Sequence, residues 1–387
     1  MKLKYFLILL TVTISCKTEK KELIKFDSTT LIERDISLTE IADDISYIPL
    51  DNSTPIGPIY DNIKFLNNSI YLSAQNTGVL EFNMQGQFIR KIGKFGRGPG
   101  EYTHCYSFTI DDKSGTVYVR DGGGIMKAFS KSGVYLRSFS LQEYGDMIDE
   151  IEFFNSNLFT SYSIQYENAN YEWIIFDTLG RVLDKKERTT PKFVSNALGG
   201  GGIYRFDNTL TYWNNYTDTA FLIFPDLKQK PSFIISSGEQ RLPKSKITVE
   251  TMSDYMWFQQ IFETNHFIFI RYFFPLKKYP FVLIDKHINK SYLINLNSDD
   301  GGSTLIGGIL NDLDGGTRFL PQSYFTKNSR EFVVGLIYPY QIQAHVKSAE
   351  FKNATAKYSE MKENLIKLAG SLKETDNPIL MIVRLKK

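Results

Sequence analysis

Apolar and polar residues alternate along this chain in short runs of period two, interrupted roughly every six to ten residues by Asn, Asp, Gly or Ser, which is the pattern of strands joined by tight turns. One turn recurs. Phe82-Asn83-Met84-Gln85-Gly86 is followed by Phe129-Ser130-Lys131-Ser132-Gly133 and by Phe176-Asp177-Thr178-Leu179-Gly180, 47 residues apart each time. Weaker copies start at Phe224 and Ile284, 48 and 60 residues further on. Each copy joins two β-rich runs, the first three pairs being 78–82 with 87–92, 125–129 with 134–139 and 173–176 with 181–185. A second hairpin lies upstream of each: 62–66 with 70–73, 107–110 with 117–120, 148–154 with 158–163, 202–206 with 209–213, and 258–263 with 267–272. Four strands per repeat of this length predict the blade of a β-propeller.

Five blades are complete in this way. A sixth draws three strands from the C-terminal region, 318–325, 331–337 and 379–385, and a fourth from the N-terminal region, either 31–37 or 45–50. That closure ties the chain ends together and removes an open sheet edge. The expected fold is therefore all-β, a six-bladed propeller of four-stranded antiparallel blades over residues 30–387. Inside the last blade, Ile342, Val346, Ala349, Ala354, Tyr358, Met361, Leu365, Leu368 and Leu372 step mostly by three and four among Lys, Glu and Gln. This predicts an amphipathic helical insertion over about 340–373, interrupted near Lys352-Asn353, with its apolar stripe packed on the propeller as a cap.

The N-terminus has a different pattern. Residues 1–15 hold Lys2 and Lys4, then an apolar run from Tyr5 to Ile14, too short to span a bilayer and typical of a secretory signal. Thr13-Ile14-Ser15-Cys16 resembles the bacterial lipobox, which implies cleavage before Cys16 and acylation of that residue. Several acyl chains hold a protein durably on a membrane, each buried methylene adding about 0.8 kcal/mol. Residues 16–29, starting with the lipidated cysteine and the charged run Lys17 to Glu22, are expected to form a flexible tether. Lys17 rather than Asp follows the cysteine, which favours an outer-membrane lipoprotein, periplasmic or surface-facing. With Cys16 acylated, Cys105 has no partner for a disulfide and is expected to be a buried small apolar residue.

Composition narrows the function. The 45 basic and 43 acidic residues become equal at 43 once Lys2 and Lys4 leave with the signal. No basic surplus exists for nucleic acid. Tyr (23) and Phe (29) are abundant, as strands favour, whereas four histidines give a histidine-based metal centre little material. No Gly-x-Ser-x-Gly or His-Glu-x-x-His is present. No cofactor is expected.

Tyr47-Ile48-Pro49-Leu50, the stretch 93–102 reading Gly-Lys-Phe-Gly-Arg-Gly-Pro-Gly-Glu-Tyr, Tyr216-Thr217-Asp218-Thr219, Asn311-Asp312-Leu313-Asp314-Gly315-Gly316 and Asp376-Asn377-Pro378-Ile379-Leu380 resemble the six-bladed propeller lipoproteins of Bacteroidetes, distant relatives of NHL-repeat and TolB-like propellers. The resemblance covers about residues 30–387. It implies the architecture and no activity.

With strands lettered A to D from the axis outward, the A–B and C–D links are tight turns on one face. The B–C and D–A links on the other include 93–104, 187–201, 236–256, 295–317 and 339–377, and long loops on a rigid scaffold favour binding there. The expected ligand-binding residues on that face are Arg97 and Glu101, placed to meet a carboxylate or sulfate, together with Tyr102 and the rings of Trp213, Tyr216, Trp257 and Tyr272, with Phe273 and Tyr279 nearby, as a stacking surface for glycans. On that reading Arg97→Ala and Trp213→Ala leave stability unchanged. The glycines of 93–100 lack the Gly-Lys-Ser/Thr ending of a phosphate loop and are expected to shape a blade crossing. Asp312-Leu313-Asp314-Gly315 lacks the Glu that completes a calcium loop and is expected to be a structural turn.

The function expected is a non-enzymatic ligand- or protein-binding module anchored to the cell envelope, its partner a glycan, a small acid or an envelope protein. Two alternatives stay open. A propeller lyase or hydrolase would gather three or more His or carboxylates at the channel mouth. A structural adaptor of an outer-membrane complex would expose an apolar patch on the inserted helices.

Overall fold

Each run of alternating residues pairs with its neighbour in sequence, and the turns between them explain why. The A–B turns Asn67-Asn68, Asn155-Ser156, Asp207-Asn208 and Asn328-Ser329 all hold both residues at positive φ, 42° to 67°. Two-residue turns of that hand match the twist of the strands they join, and Asn and Asp tolerate the left-handed region. The computed structural model describes residues 23–145, 147–195, 200–236, 240–252, 254–273, 280–294, 296–298 and 305–387. Cys16 and Tyr279 lie outside them.

Among the described residues, six sheets of four or five strands follow one another around an axis. Blade 1 comprises Ile59–Leu66, Ser69–Ala74, Gly78–Asn83 and Phe88–Ile92. Blade 2 comprises Ser107–Ile110, Val117–Asp121, Ile125–Phe129 and Tyr135–Ser140. Blade 3 comprises Ile148–Phe154, Asn157–Tyr162, Tyr171–Phe176 and Val182–Glu187. Blade 4 comprises Gly201–Phe206, Thr209–Asn214, Thr219–Ile223 and Gln229–Ser236; blade 5, Trp257–Glu263, Phe267–Phe273, Phe281–Asp285 and Lys290–Ile294. Blade 6 takes Ser323–Lys327, Arg330–Ile337 and Ile379–Leu385 from the C-terminal region.

The N-terminal segment closes the ring more thoroughly than expected. Ala42–Pro49 is the outermost strand of blade 6, antiparallel to Ile379–Leu385. Upstream of it, Ile24–Asp27 adds a parallel fifth strand to blade 4 and Ile32–Glu33 one to blade 5. Of the two candidate closing strands, then, 45–50 falls in blade 6 and 31–37 borders blade 5. Phe26, Ile36 and Leu38 are buried in the core along this path. Asp312 accepts the Thr39 N–H at 2.9 Å and Asp314 the Gly316 N–H at 2.8 Å. The 312–315 motif is thus a turn that fastens the N-terminal segment.

The insertion forms three helices, Pro339–Lys347, Ala349–Asn353 and Ser359–Ser371. Pro339 opens the first, where its missing N–H costs nothing, and Ser348 caps the second by accepting from Phe351 N–H at 3.1 Å. Ile342, Phe351, Leu365 and Ala369 are buried in the propeller's largest core cluster. The large apolar side chains the helices leave exposed are Tyr340 and Ile366, so the stripe serves as the expected cap and offers no broad apolar patch.

Each apolar side chain buried from the N-terminal segment contributes about 1.5–3 kcal/mol, against a total stability of about 5–15 kcal/mol. A chain lacking residues 1–22 is expected to keep its melting temperature. One lacking 1–49 should lose its cooperative transition by circular dichroism.

Candidate functional site

The innermost strand of a blade has one ladder edge with no strand beside it, and its N–H and C=O groups still need partners. Here the next blade supplies them from side chains. Ser107 and Thr109 of blade 2 accept the Ile151 and Phe153 N–H groups of blade 3, at 3.1 and 2.8 Å. Glu150 of blade 3 accepts Ile203 N–H of blade 4 at 2.9 Å, and Arg205 of blade 4 donates back to the Phe153 carbonyl at 3.3 Å. Gln260 of blade 5 donates to the Gln322 carbonyl of blade 6 at 2.6 Å, and Ser323 of blade 6 to the Ile63 carbonyl of blade 1 at 2.7 Å. These contacts line the axis with polar groups.

Between them lies a cavity of about 660 Å³, walled by all six innermost strands. Its rim includes Asn67, Asp112, Asp207 and Asn208, so it opens on the face of the tight turns. Two ion pairs cross it between alternate blades. Lys64 of blade 1 meets Glu152 of blade 3 at 2.6 Å, and Arg205 of blade 4 meets Asp112 of blade 2 at 2.8 Å nearer the rim. Glu150 sits deeper, and no Lys or Arg lies within ion-pair distance of it among the described residues. Burial, reinforced by Asp149 and then Glu152, pushes its carboxyl up to about 7. Asp149 is also pushed up to about 7 by burial, and its carboxylate accepts the Ser163 hydroxyl. The described residues hold no group of three His, Cys, Asp or Glu arranged for a metal ion.

The sequence-predicted residues stand elsewhere. Arg97 is exposed. Glu101 accepts Gly98 N–H at 2.8 Å and so fixes its own loop, where Lys94–Phe95 pairs with Glu101–Tyr102. Gly93 and Gly100, at φ 69° and 78°, abut the rings of Phe129 and Tyr135, so this stretch is a blade crossing. Tyr102 is buried, accepting Val79 N–H at 2.9 Å and donating to the Ile92 carbonyl at 2.7 Å. Trp213, Tyr216 and Tyr272 are 2–3% exposed. Trp213 packs edge-on against Phe258, Tyr272 against Phe26, and Tyr216 against Phe193. The expected open stacking surface is thereby corrected for Tyr102, Trp213, Tyr216 and Tyr272, whose rings are core. Trp257 is half-buried against Phe273. Cys105 is buried as expected, its thiol pushed up to about 12 by burial.

The channel residues Lys64, Asp112, Glu150, Glu152, Arg205 and Asp207 escaped the sequence reading. A signal was present: Ile148-Asp149-Glu150-Ile151-Glu152 puts three carboxylates in one predicted innermost strand, against strand preference. Trp213→Ala is expected to cost about 3–5 kcal/mol, as for other buried aromatic truncations, and Arg97→Ala less than about 0.5 kcal/mol, both read by urea unfolding.

Solved structures share this architecture, two from Bacteroides species among them. A Bacteroides fragilis protein described as exported is 17% identical, covers 95% of this chain and 100% of its own, and has a TM-score of 0.65. A Bacteroides vulgatus member of the DUF4221 family is 12% identical over 92% of this chain and 99% of its own, with a TM-score of 0.50. At such identities the likeness shows the fold alone. No curated protein sequence matches this chain. The family described as a domain of unknown function, DUF4934, matches residues 22–384, and to that family of propellers this chain belongs.

Proposed function

We propose that this chain is a lipid-anchored cell-envelope protein that binds a small polar ligand, or a side chain of an envelope partner, in its axial channel without converting it. The cavity carries this reading: about 660 Å³ is within the range of small-molecule sites, and it is walled mainly by the innermost strands with turn residues at its rim. The loop-rich face, by contrast, uses the aromatic rings expected there for packing. Support for the envelope comes from the leader ending at Cys16 and from the exported description of the Bacteroides fragilis protein. No described helix is long and apolar enough to cross a membrane, so the acyl anchor at Cys16 is the membrane attachment in this reading.

A second reading, a lyase or hydrolase acting in the channel on a carbohydrate or small acid, is favoured by one observation. Asp112, Glu150, Glu152 and Asp207 all line the cavity, and Glu150, at about 7, has the affinity for a proton that a general acid or base needs. The two readings part on the fate of the ligand.

Native mass spectrometry of the protein isolated from envelopes tests both. The expected result is a retained small molecule that stays chemically unchanged on incubation. Thr326→Trp, an exposed strand position lining the mouth, should abolish retention with the melting temperature unchanged. Conversion of the ligand would establish the enzymatic reading, and retention by Thr326→Trp would move the site out of the channel. Cys16→Ala should shift the protein from the membrane to the soluble fraction.

A further inference from the structure

The groups lining the channel are unevenly matched. Tyr204, 6% exposed, has its hydroxyl beside that of Thr211. Gln260 and Gln322 each have a buried side-chain carbonyl oxygen without a partner, and the Gln260 amide nitrogen is already committed to the Gln322 backbone. All three residues line the same cavity as Glu150. These oxygens, enclosed by protein, add partial negative charge to the channel wall.

Charge points the same way. Lys64 and Arg205 pair with Glu152 and Asp112, and Lys64 also acts on Glu150 through space, so two cations face the four carboxylates Asp112, Glu150, Glu152 and Asp207. Glutamine at 150 retains an acceptor for the Ile203 N–H, without the strengthening that a charge gives. Asparagine fills the position equivalent to Asp207 in three other A–B turns, as Asn67, Asn155 and Asn328, at nearly the same φ.

We propose that the channel's ligand carries a protonated amine, drawn in past Asp207 and seated on Glu150. This rests on the channel reading and names its ligand chemistry: an alkylamine or an amino sugar. An ammonium offers three donors and no acceptor, the complement of this lining. The charged groups around Glu150 are Asp149 and Glu152 on its own strand, Lys64 in blade 1, Asp112 in blade 2 and Arg205 in blade 4; blades 5 and 6 present the neutral Gln260, Gln322 and Tyr324. A cation binds the ionised carboxylate, so affinity rises with pH through the Glu150 titration.

Calorimetry on the leaderless chain tests this with 1,5-diaminopentane against pentane-1,5-diol and glutarate, and with methyl glucosaminide against its N-acetyl form. At least one amine is expected to bind at least tenfold more tightly than its uncharged counterpart, and the pair that responds tells an alkylamine from an amino sugar. Diaminopentane affinity should fall about tenfold from pH 8 to pH 6. Glu150→Gln should abolish that pH response and weaken binding at pH 8 about tenfold, while Asp149→Asn retains the response. Asp207→Asn, at an exposed turn that Asn suits, should weaken binding less and also retain it. Circular dichroism checks that each variant is folded. Equal or tighter binding of the neutral or anionic counterparts would overturn the amine and leave the channel reading intact, as would failure of every amine to bind at millimolar concentration. The channel reading itself falls if Thr326→Trp keeps the native ligand.

Discussion

An unpaired strand edge facing inward is the constraint around which this molecule is arranged. A propeller exposes one such edge per blade to its own axis, and main-chain groups there are too costly to leave without partners. This chain meets the requirement with side chains rather than strands: serine and threonine from blade 2, glutamate from blade 3, arginine from blade 4, glutamine from blade 5 and serine from blade 6 each reach a neighbour's edge. The contacts hold blades at a fixed spacing where the apolar faces alone would allow sliding, and they make the axis polar.

A polar channel is therefore a structural outcome first. What needs a separate explanation is the part of its chemistry that edge satisfaction does not use: two ion pairs across alternate blades, a deep carboxyl outside both of them, and more carboxylates than cations. Partly satisfied polar groups in a confined space are destabilising unless something completes them. Their concentration around one cavity, away from the loop-rich rim, is what separates a binding site from a lining.

Architecture was legible because it is written locally. The Phe-x-x-x-Gly turns recur at 47 residues, the hairpins follow a period of two, and the inserted helices show their stripe, so blade count and cap could be read from spacing and the closing strand narrowed to two candidates. The site was not legible in the same way. A ring at strand period reads alike whether it faces a neighbouring blade or solvent, and Trp213, Tyr216 and Tyr272 proved to be wedged between strands. Conversely, Lys64 and Glu152, 88 residues apart, meet only because the ring closes. Loop length also misled: the long connections on the far face are spent on blade crossings, on fastening the N-terminal segment and on the helical cap.

The most direct test is a crystal structure of the protein isolated from envelopes with its ligand retained. The expected result is density on the axis between Glu150 and the Arg205–Asp112 pair, entered from the face of Asn67 and Asp207. Density instead at the Gly93 to His104 loop, with the axial cavity holding water alone, would contradict the assignment of recognition to the channel.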